Sequence, residues 1–447
     1  MLYNKNIIDK RNEFYMKTVA FCTLGCKVNQ YETEVMEELF NKKGYEIKNF
    51  NEVCDIYVIN TCSVTNTGDK KSRQMINRAR KKNPDAIIAV AGCYSQVSEN
   101  DVKNIPGVNV IIGNTHKEDI VSLVENASKS SQDILVEDIG IKKDYTEMEI
   151  STHREKTRAY IKIEDGCNSF CSYCIIPYAR GRVRSRDINN IISEVDKLVN
   201  EGFSEFILTG IHIASYGLDK GDISLIDVIE KIAKKPKVKR IRLGSIEPRI
   251  LTEDFVKRMA DTKKVCNHFH ISLQSGCDET LKRMNRKYLT ADYRKSVEYL
   301  RKYFENPAIA TDIMVGFPGE TEDEFLTSLN FMKEINFADA HVFSYSRRKG
   351  TVADRMENQV EESIKDIRNK QMSETVCNLK KSYLDMHTGK ELEVLFEQRT
   401  KDGFFEGTSS EYIKVMVKTD KDLTGQYKTV IVTKNNGDIA YADIKEM

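Results

Sequence analysis

The stretch Glu164-Asp-Gly-Cys-Asn-Ser-Phe-Cys-Ser-Tyr-Cys-Ile-Ile-Pro177 carries three cysteines, Cys167, Cys171 and Cys174, in one short loop. Three thiolates leave one iron of a cubane iron–sulfur cluster without a protein ligand, and that iron keeps an open coordination position. A zinc loop is the alternative, but structural zinc sites close with a fourth Cys or His at short spacing, and none follows Cys174 nearby. The spacing therefore predicts a cluster that takes part in chemistry.

The composition predicts a globular protein of about three domains. The chain has 447 residues, of which 40% are hydrophobic and 9% aromatic. It contains no apolar run near the ~18 residues of a membrane span, and its first residues lack the apolar core of a signal peptide. Eleven cysteines in such a chain favour metal or redox chemistry over a disulfide framework. We therefore expect a cytoplasmic protein with no membrane partner.

Positive charge is concentrated in two segments, although the whole chain has 69 Lys and Arg against 68 Asp and Glu. One segment, Asp69 to Lys82, would spread its basic residues over much of one helix surface, for which a solvated face is the alternative interpretation. In the other, Arg180, Arg182, Arg184 and Arg186 alternate, so an extended strand would project all four from one side. Like charges this close favour an anionic partner, and the series predicts contact with RNA phosphate.

Cysteines also follow three successive predicted strands near the N-terminus. Residues 17–25, 56–60 and 86–91 have the pattern of strands in a parallel α/β domain. The cysteines that follow them are Cys26, Cys62 and Cys93. Because the carboxyl ends of parallel strands meet at one edge of a sheet, these thiols can converge on a second metal site. Packing in a tight turn is the alternative for each cysteine taken singly.

Six further strand-like segments alternate with helical gaps. They are residues 159–163, 205–210, 240–246, 268–273, 310–315 and 339–344. This repetition predicts a parallel β/α barrel, partial in circumference, whose active face lies at the carboxyl ends of the strands. Polar and glycine residues at these ends outline a nucleoside-sized pocket. His212 and His270 lie on strand-like segments and are interpreted as structural histidines.

From about Met386 the sequence changes to short alternating strands. They are residues 392–396, 412–417, 427–433 and 439–442, with glycines at 403, 407, 425 and 437 taken as separators. The pattern predicts a small antiparallel β-barrel, which is a frequent RNA-binding module. A barrel that only caps the enzyme or contacts another protein is the alternative.

Motifs along the whole chain resemble those of the radical S-adenosylmethionine methylthiotransferases. Besides the three-cysteine loop they are Thr23-Leu-Gly-Cys-Lys-Val-Asn-Gln-Tyr-Glu-Thr33, Asn60-Thr-Cys-Ser-Val-Thr65, Gly92-Cys-Tyr-Ser-Gln96, Arg180-Gly-Arg182, Gln274-Ser-Gly276, Met284-Asn-Arg286 and Asp312-Ile-Met-Val-Gly-Phe-Pro-Gly-Glu-Thr321. The motif that begins at Thr23 is most similar to the branch acting on N6-threonylcarbamoyladenosine beside the tRNA anticodon. The resemblance extends from about Lys17 to the end of the sequence.

The resemblance implies an α/β fold with three domains. A polar extension (1–16) would precede an N-terminal methylthiotransferase domain (17–137) that holds an auxiliary cluster. A linker (138–152) would lead to a radical S-adenosylmethionine domain (153–385), built as a partial (β/α)6 barrel. A TRAM β-barrel (386–447) that binds RNA would follow.

The same resemblance implies the cofactors, partners and site residues. Cys167, Cys171 and Cys174 would be catalytic, holding a [4Fe–4S] cluster that donates an electron to S-adenosylmethionine, the methyl donor and radical source. A second [4Fe–4S] cluster, which presents the sulfur, would be held by Cys26, Cys62 and Cys93. S-adenosylmethionine would contact Gly210, Ser272, Gln274 and Gly316. The partners would be the tRNA anticodon loop, a flavodoxin- or ferredoxin-like electron donor and a sulfur source, and the product would carry a methylthio group on adenine C2.

Other functions stay open on the sequence alone. The same chemistry could act on isopentenyladenosine in tRNA or on an aspartate of a small-subunit ribosomal protein, although the basic segments favour RNA. A non-catalytic iron–sulfur protein that binds RNA or transfers electrons would instead require a four-cysteine site or the loss of the pocket residues.

Overall fold

The computed structural model describes residues 17–128, 131–141, 144–150 and 157–445. The chain forms two compact units: Met1–Gly25, Glu32–Cys62 and Thr67–Glu137 make up the first, and Cys26–Tyr31, Ser63–Asn66 and Asp138–Met447 the second. The predicted extension (1–16) and residues 142, 143, 151 and 152 of the predicted linker lie outside the described residues. None of the helices in the described ranges has both the length and the apolar character that a bilayer span requires.

A parallel six-stranded sheet organises the first unit. Its strands are β1 (Thr18–Thr23), β2 (Glu46–Lys48), β3 (Ile56–Thr61), β4 (Ile87–Gly92), β5 (Val110–Ile112) and β6 (Asp133–Leu135), in the spatial order β2-β1-β3-β4-β5-β6. All six residues of β3 are buried, as expected for a central strand covered on both faces. The predicted α/β pattern is therefore confirmed. The structure also contains the edge strands β2 and β6, which the sequence did not predict because each has only three residues.

Five helices connect these strands. They are α1 (Lys27–Lys42), α2 (Asn66–Lys82), α3 (Cys93–Val97), α4 (Glu99–Lys103) and α5 (Ile120–Asn126). The predicted basic helix is present as α2, which buries Ser72, Ile76 and Ala79 at helical spacing. Its charged residues Lys70, Lys71 and Arg73 are exposed.

Six parallel strands form the barrel of the second unit. They are β7 (Ala159–Lys162), β10 (Glu205–Thr209), β11 (Arg240–Leu243), β12 (His268–His270), β13 (Ala308–Val315) and β14 (Asp339–Ser344), with a short hairpin of β8 (Glu164–Asp165) and β9 (Arg184–Ser185) after β7. They pair as β11-β10-β7 and β12-β13-β14, and bridges such as Ile246 to Ile271 join the two groups. The predicted partial barrel is confirmed.

Helices alternate with these strands. They are α6 (Ile176–Arg180), α7 (Ile188–Asn200), α8 (Leu225–Ala233), α9 (Glu253–Asp261), α10 (Asp278–Arg283), α11 (Thr290–Tyr303), α12 (Glu322–Ile335) and α13 (Glu362–Asp385). One residue in two on each barrel strand packs against this helical layer, and Phe206, Ile241, Phe269 and Ile313 belong to that hydrophobic core. The intervening residues therefore line the inner face of the barrel.

A closed five-stranded barrel ends the second unit. Its strands are β15 (Glu391–Arg399), β16 (Phe404–Ser409), β17 (Lys414–Lys418), β18 (Tyr427–Asn435) and β19 (Ala440–Ile444), in the order β15-β16-β17-β19-β18. The predicted C-terminal barrel is confirmed, but it is not antiparallel throughout, because β17 and β19 pair in parallel. Gly407 is not a separator, since it lies inside β16. A Cβ at Gly407 would come within 2.6 Å of the Leu395 carbonyl oxygen, so glycine here permits two strands to approach closely.

Candidate active site

The three-cysteine loop begins where β7 and β8 end. Gly166 has a φ of +85°, and the Cys167 N–H donates to the Gly181 carbonyl at 3.0 Å, which closes the loop upon itself. The Cys174 N–H donates to the Cys171 carbonyl at 2.9 Å. Burial raises the pKa of the Cys174 thiol to about 12 and also raises that of Cys167. A metal that binds here would displace the thiol protons.

Residues far along the chain support this loop. The Arg286 Nη1 donates to Cys171 Sγ at 3.2 Å, and the Asn285 side chain donates to the Phe170 carbonyl at 2.8 Å. The Ser172 N–H donates to the Met284 carbonyl at 3.0 Å. Sequence analysis noted the motif Met284-Asn-Arg286 without a role. The structure shows that it holds the cysteine loop and brings a cation to one thiol.

The four residues predicted to contact S-adenosylmethionine lie after strand ends at the same edge of the barrel. Gly210 follows β10, Ser272 and Gln274 follow β12, and Gly316 follows β13. The Ser272 hydroxyl lies 2.7 Å from that of Ser245, and the Gly316 N–H donates to the Glu320 carboxylate at 2.6 Å. The edge therefore combines small residues with fixed polar groups.

Glu164 is a buried acid at this edge that sequence analysis did not select. The His212 N–H donates to its Oε2 at 2.7 Å, whereas Oε1 has no hydrogen-bond partner among the described residues. Burial raises the pKa of Glu164 well above its usual value. A buried polar atom without a partner and three thiols in one loop fit a site that holds a polar cofactor.

The other three predicted cluster ligands follow strands that are neighbours in the first sheet. Cys62 comes directly after β3 and Cys93 directly after β4. The Asn114 side chain donates to Cys93 Sγ at 3.5 Å. Cys26 follows β1 at a distance of three residues, is exposed, and belongs to the second unit. Its Sγ lies 3.9 Å from Asn29 Oδ1.

The four alternating arginines do not project from one side of an extended strand, so that prediction is wrong. Arg180 ends α6 and Arg184 starts β9, so the segment is not one extended strand, and Arg180, Arg184 and Arg186 are buried. Arg180 bonds Asp165 at 3.3 Å and Asn29 at 2.6 Å. The Asp165 carboxylate therefore pairs with this guanidinium inside the protein, and the Asn29 amide oxygen accepts a second hydrogen bond from it.

Arg186 and Arg182 have very different surroundings. Arg186 pairs with Glu147 at 2.8 Å and with the buried Glu194. Arg182 is exposed and lies over the Phe170 ring, 4.4 Å from its centroid. Of the four arginines, Arg182 is the one that the structure leaves accessible to a large polyanion.

Three polar residues meet on the inner face of the barrel. His270 Nε2 lies 3.2 Å from Asp312 Oδ2, and His341 Nδ1 lies 3.1 Å from Asp312 Oδ1. Asp312 raises the pKa of His341. Burial alone would raise the pKa of Asp312, but the hydrogen bonds from both histidines outweigh it and hold that pKa below its usual range. His270 was predicted to be a structural histidine, and sequence analysis did not bring it together with the other two.

Lys27 stands near this group. Its side chain is exposed, yet surrounding atoms partly desolvate it and lower its pKa, and Arg242 and Arg158 lower it further against an opposing contribution from Tyr412. Its charge also acts on His268 and His341. The charge of Lys27 therefore acts on the histidines of this group.

Two family descriptions match the chain. Residues 161–332 match the Radical SAM superfamily, and residues 18–113 match Uncharacterized protein family UPF0004. The first match contains the three-cysteine loop and the barrel strands from β10 to β13, and the second contains Cys26, Cys62 and Cys93.

Similarity to characterised relatives covers nearly the whole chain. It is 41% identical over 425 residues to the threonylcarbamoyladenosine tRNA methylthiotransferase MtaB of Bacillus subtilis, with 94% of each chain covered. It is 34% identical over 438 residues to the tRNA-2-methylthio-N(6)-dimethylallyladenosine synthase of Acetivibrio thermocellus, covering 96% of this chain and 90% of that one. A solved radical S-adenosylmethionine methyltransferase, TsrM from Kitasatospora setae, is similar in fold, with a TM-score of 0.54, 14% identity, and 74% and 75% of the two chains covered.

Proposed function

Because this chain belongs to the radical S-adenosylmethionine methylthiotransferase family, we propose that it places a methylthio group on C2 of N6-threonylcarbamoyladenosine next to the tRNA anticodon. The observation that carries this choice of acceptor is the 41% identity, over 94% of both chains, to a relative named for that substrate. Relatives named for dimethylallyladenosine reach 34% over a similar length.

The residues of the second unit that would hold the first cofactor are Cys167, Cys171 and Cys174. A [4Fe–4S] cluster held there would supply an electron to S-adenosylmethionine, the radical source. Arg286 would stabilise the negative charge of the Cys171 thiolate through its 3.2 Å hydrogen bond. Gly210, Ser272, Gln274 and Gly316 would contact S-adenosylmethionine, with Ser272 positioned by Ser245.

Cys26, Cys62 and Cys93 would hold a second [4Fe–4S] cluster, which supplies the sulfur. Their positions after β1, β3 and β4, neighbouring strands of one parallel sheet, support this assignment. Asn114 would orient the Cys93 thiol through its side-chain amide. A flavodoxin- or ferredoxin-like protein would supply electrons, and a separate source would supply the sulfur. The reaction would take place in the cytoplasm.

The tRNA would be bound by the basic helix α2, by Arg182 and by the C-terminal barrel. Lys70, Lys71 and Arg73 are exposed on α2, where they can contact phosphates. Tyr412 of the C-terminal barrel is 43% exposed, and an exposed aromatic ring suits base stacking. An anticodon loop presents unstacked bases, so the target adenine enters the barrel at little cost.

Nucleoside mass spectrometry of tRNA tests this proposal. In cells that lack the protein, 2-methylthio-N6-threonylcarbamoyladenosine should disappear while its precursor accumulates, and the wild-type gene should restore it. A gene encoding Cys167→Ala should not restore it. Loss of the 2-methylthio derivative of isopentenyladenosine instead would assign the other tRNA acceptor, and unchanged tRNA would point to the ribosomal protein.

A further inference from the structure

The inner face of the barrel is unusually polar. The interior of a β/α barrel is normally filled by bulky branched apolar side chains. Here the residues that point away from the helical core include Lys162, Arg242, His268, His270, Asp312 and His341. The side chain of His341 is 67% exposed and that of Asp312 27%. Asp312 and His341 therefore face an open space, whereas Lys162 and Arg242 are buried.

The position of the group relative to the candidate cofactor edge follows from strand geometry. His270 and Ser272 are two residues apart and share one face, so they are about 7 Å apart along the strand. His270 therefore lies one layer deeper in the barrel than Ser272. His341 lies two residues further along the strand register, where it pairs with Asp312. In a threonylcarbamoyl group the carboxylate lies roughly 5 Å from N6 at ordinary bond lengths. A base held at the Ser272 layer could place that carboxylate beside the histidines.

The charge of the space favours an anion. His341 Nδ1 is engaged by Asp312, which leaves Nε2 without a hydrogen-bond partner among the described residues and directed away from Asp312. Lys27 has no acidic partner in the described part of the chain. Asp339, the other acid that acts on His341, is engaged by Lys380 at 3.4 Å. Arg242 is paired with Glu205 at 3.1 Å, so Lys27 is the cation whose charge remains unpaired among these described residues. A divalent cation would add positive charge beside Lys27, whereas a carboxylate would pair with it.

An aromatic wall adjoins this group. Phe343 lies two residues after His341 on the same face of β14 and is 48% exposed. The His341 and Phe343 ring centroids are 6.3 Å apart. A purine ring can therefore stack here while its substituent reaches the histidines.

We propose that His270 and His341, with Lys27, form a subsite that binds the carboxylate of the acceptor's N6 side chain. The subsite selects an amino-acid-derived substituent over an apolar one. This inference rests on the proposed function, because that function supplies the acceptor. Asp312 is a positioning residue that fixes the orientation of both rings.

Binding of two anticodon stem-loop RNAs tests the subsite. One carries N6-threonylcarbamoyladenosine and the other its methyl ester, which differs by the loss of one negative charge. The cluster-loaded wild-type protein should bind the acid about tenfold or more tightly than the ester, the range expected for a charge-assisted hydrogen bond. His341→Phe should reduce this ratio to near one, and His341→Gln, which keeps an N–H donor, should give an intermediate ratio.

His116→Phe provides a matched control. His116 also has two carboxylate partners, Asp119 at 3.3 Å and Glu137 at 3.0 Å, but it lies in the first unit. This variant should keep the wild-type ratio. Binding of the RNA with unmodified adenosine checks that each variant is folded, because this RNA lacks the side chain and should bind all variants equally.

Failure of the subsite and failure of the proposed function give different results. If the wild-type protein methylthiolates the acid-bearing RNA yet binds acid and ester equally, or if His341→Phe keeps the ratio, the subsite is refuted and the function stands. If the wild-type protein modifies only RNA with isopentenyladenosine, the proposed function is refuted. The subsite would also be refuted if the wild-type protein bound one equivalent of zinc that His341→Phe loses, and if it bound the acid-bearing and ester-bearing RNAs equally.

Discussion

Gly166 turns the chain into the three-cysteine loop, and its backbone makes it the most constrained residue there. Its φ is +85°, and a Cβ at this position would overlap the Arg182 carbonyl. A left-handed φ costs a non-glycine residue about 1–2 kcal/mol, and overlap with backbone adds to that cost because it cannot move aside like a flexible side chain. The loop geometry that brings Cys167 to Cys174 therefore depends on glycine.

Gly166→Ala should prevent stable loading of the radical-generating cluster. The expected result is loss of more than about half of the iron bound by this loop, because the strain, at least about 2 kcal/mol, opposes the loaded conformation. Iron and sulfide analysis with visible absorbance measures this in a protein whose Cys26, Cys62 and Cys93 are replaced by alanine. Gly221→Ala is the matched control, since Gly221 has the same φ of +85° with no atom within 4 Å of its added Cβ. Equal iron in both variants would contradict this account.

At the scale of elements, the segment from α6 to β9 is rich in arginine, and most of these arginines form buried contacts within the fold. Arg186 reaches Glu147, which precedes the barrel, and Glu194 on α7. Both Arg186 and Glu194 are fully buried. Removing one partner of such a pair leaves an unpaired buried charge, which is costly, whereas replacing both by apolar residues is often neutral.

Arg186→Met should destabilise the second unit by about 3–5 kcal/mol, the usual cost of breaking a buried ion pair. Urea denaturation followed by circular dichroism measures this change. The double variant Arg186→Met with Glu194→Met should recover much of the loss. Arg182→Met should leave stability within about 0.5 kcal/mol but weaken tRNA binding and lower its salt dependence by about one ion. An unchanged denaturation midpoint for Arg186→Met would show that its role is not structural.

For the whole molecule, the C-terminal barrel is part of the fold of the second unit rather than an appendage. Arg240 bonds Glu393 at 2.9 Å, and Arg242 donates to the Ser409 and Ser410 carbonyls at 3.0 and 3.1 Å. These arginines lie on β11 of the larger barrel. The Tyr412 ring also covers Arg242, 4.8 Å from its guanidinium.

Deletion of residues 391–447 should therefore lower the urea midpoint of the remaining barrel as well as abolish tRNA binding. The deletion removes the hydrogen bonds that Arg240 and Arg242 donate to this barrel, and a hydrogen bond from a charged group contributes about 1.5–3 kcal/mol. Lys434→Ala, an exposed change on the same small barrel, should leave the midpoint unchanged. A deletion that abolishes RNA binding but preserves the midpoint would mean that the small barrel contributes nothing to folding.

The sequence by itself determined the strands and the candidate metal ligands that can be recognised from the spacing of nearby residues. The three-cysteine loop follows from its own spacing, and the six barrel strands follow from apolar segments at regular intervals. The sequence did not predict strand β16, because Gly407 is typical of a turn. The role of Gly407 is seen only in the structure, where the backbone of Leu395 on the neighbouring strand approaches it closely. Local patterns are sufficient where the physical cause is local, as in strand periodicity and loop length.

Only the tertiary structure decided which charges are buried and which polar groups meet. Arg180, Arg184 and Arg186 have the pattern of an exposed strand, but carboxylates brought by folding, such as Asp165 and Glu194, make their burial favourable. In the same way, strand pairing places Asp312 of β13 between His270 and His341 of the adjacent strands. The free energy of burying a charge depends on its partners in space, and the spacing of residues in a single sequence does not reveal partners this distant.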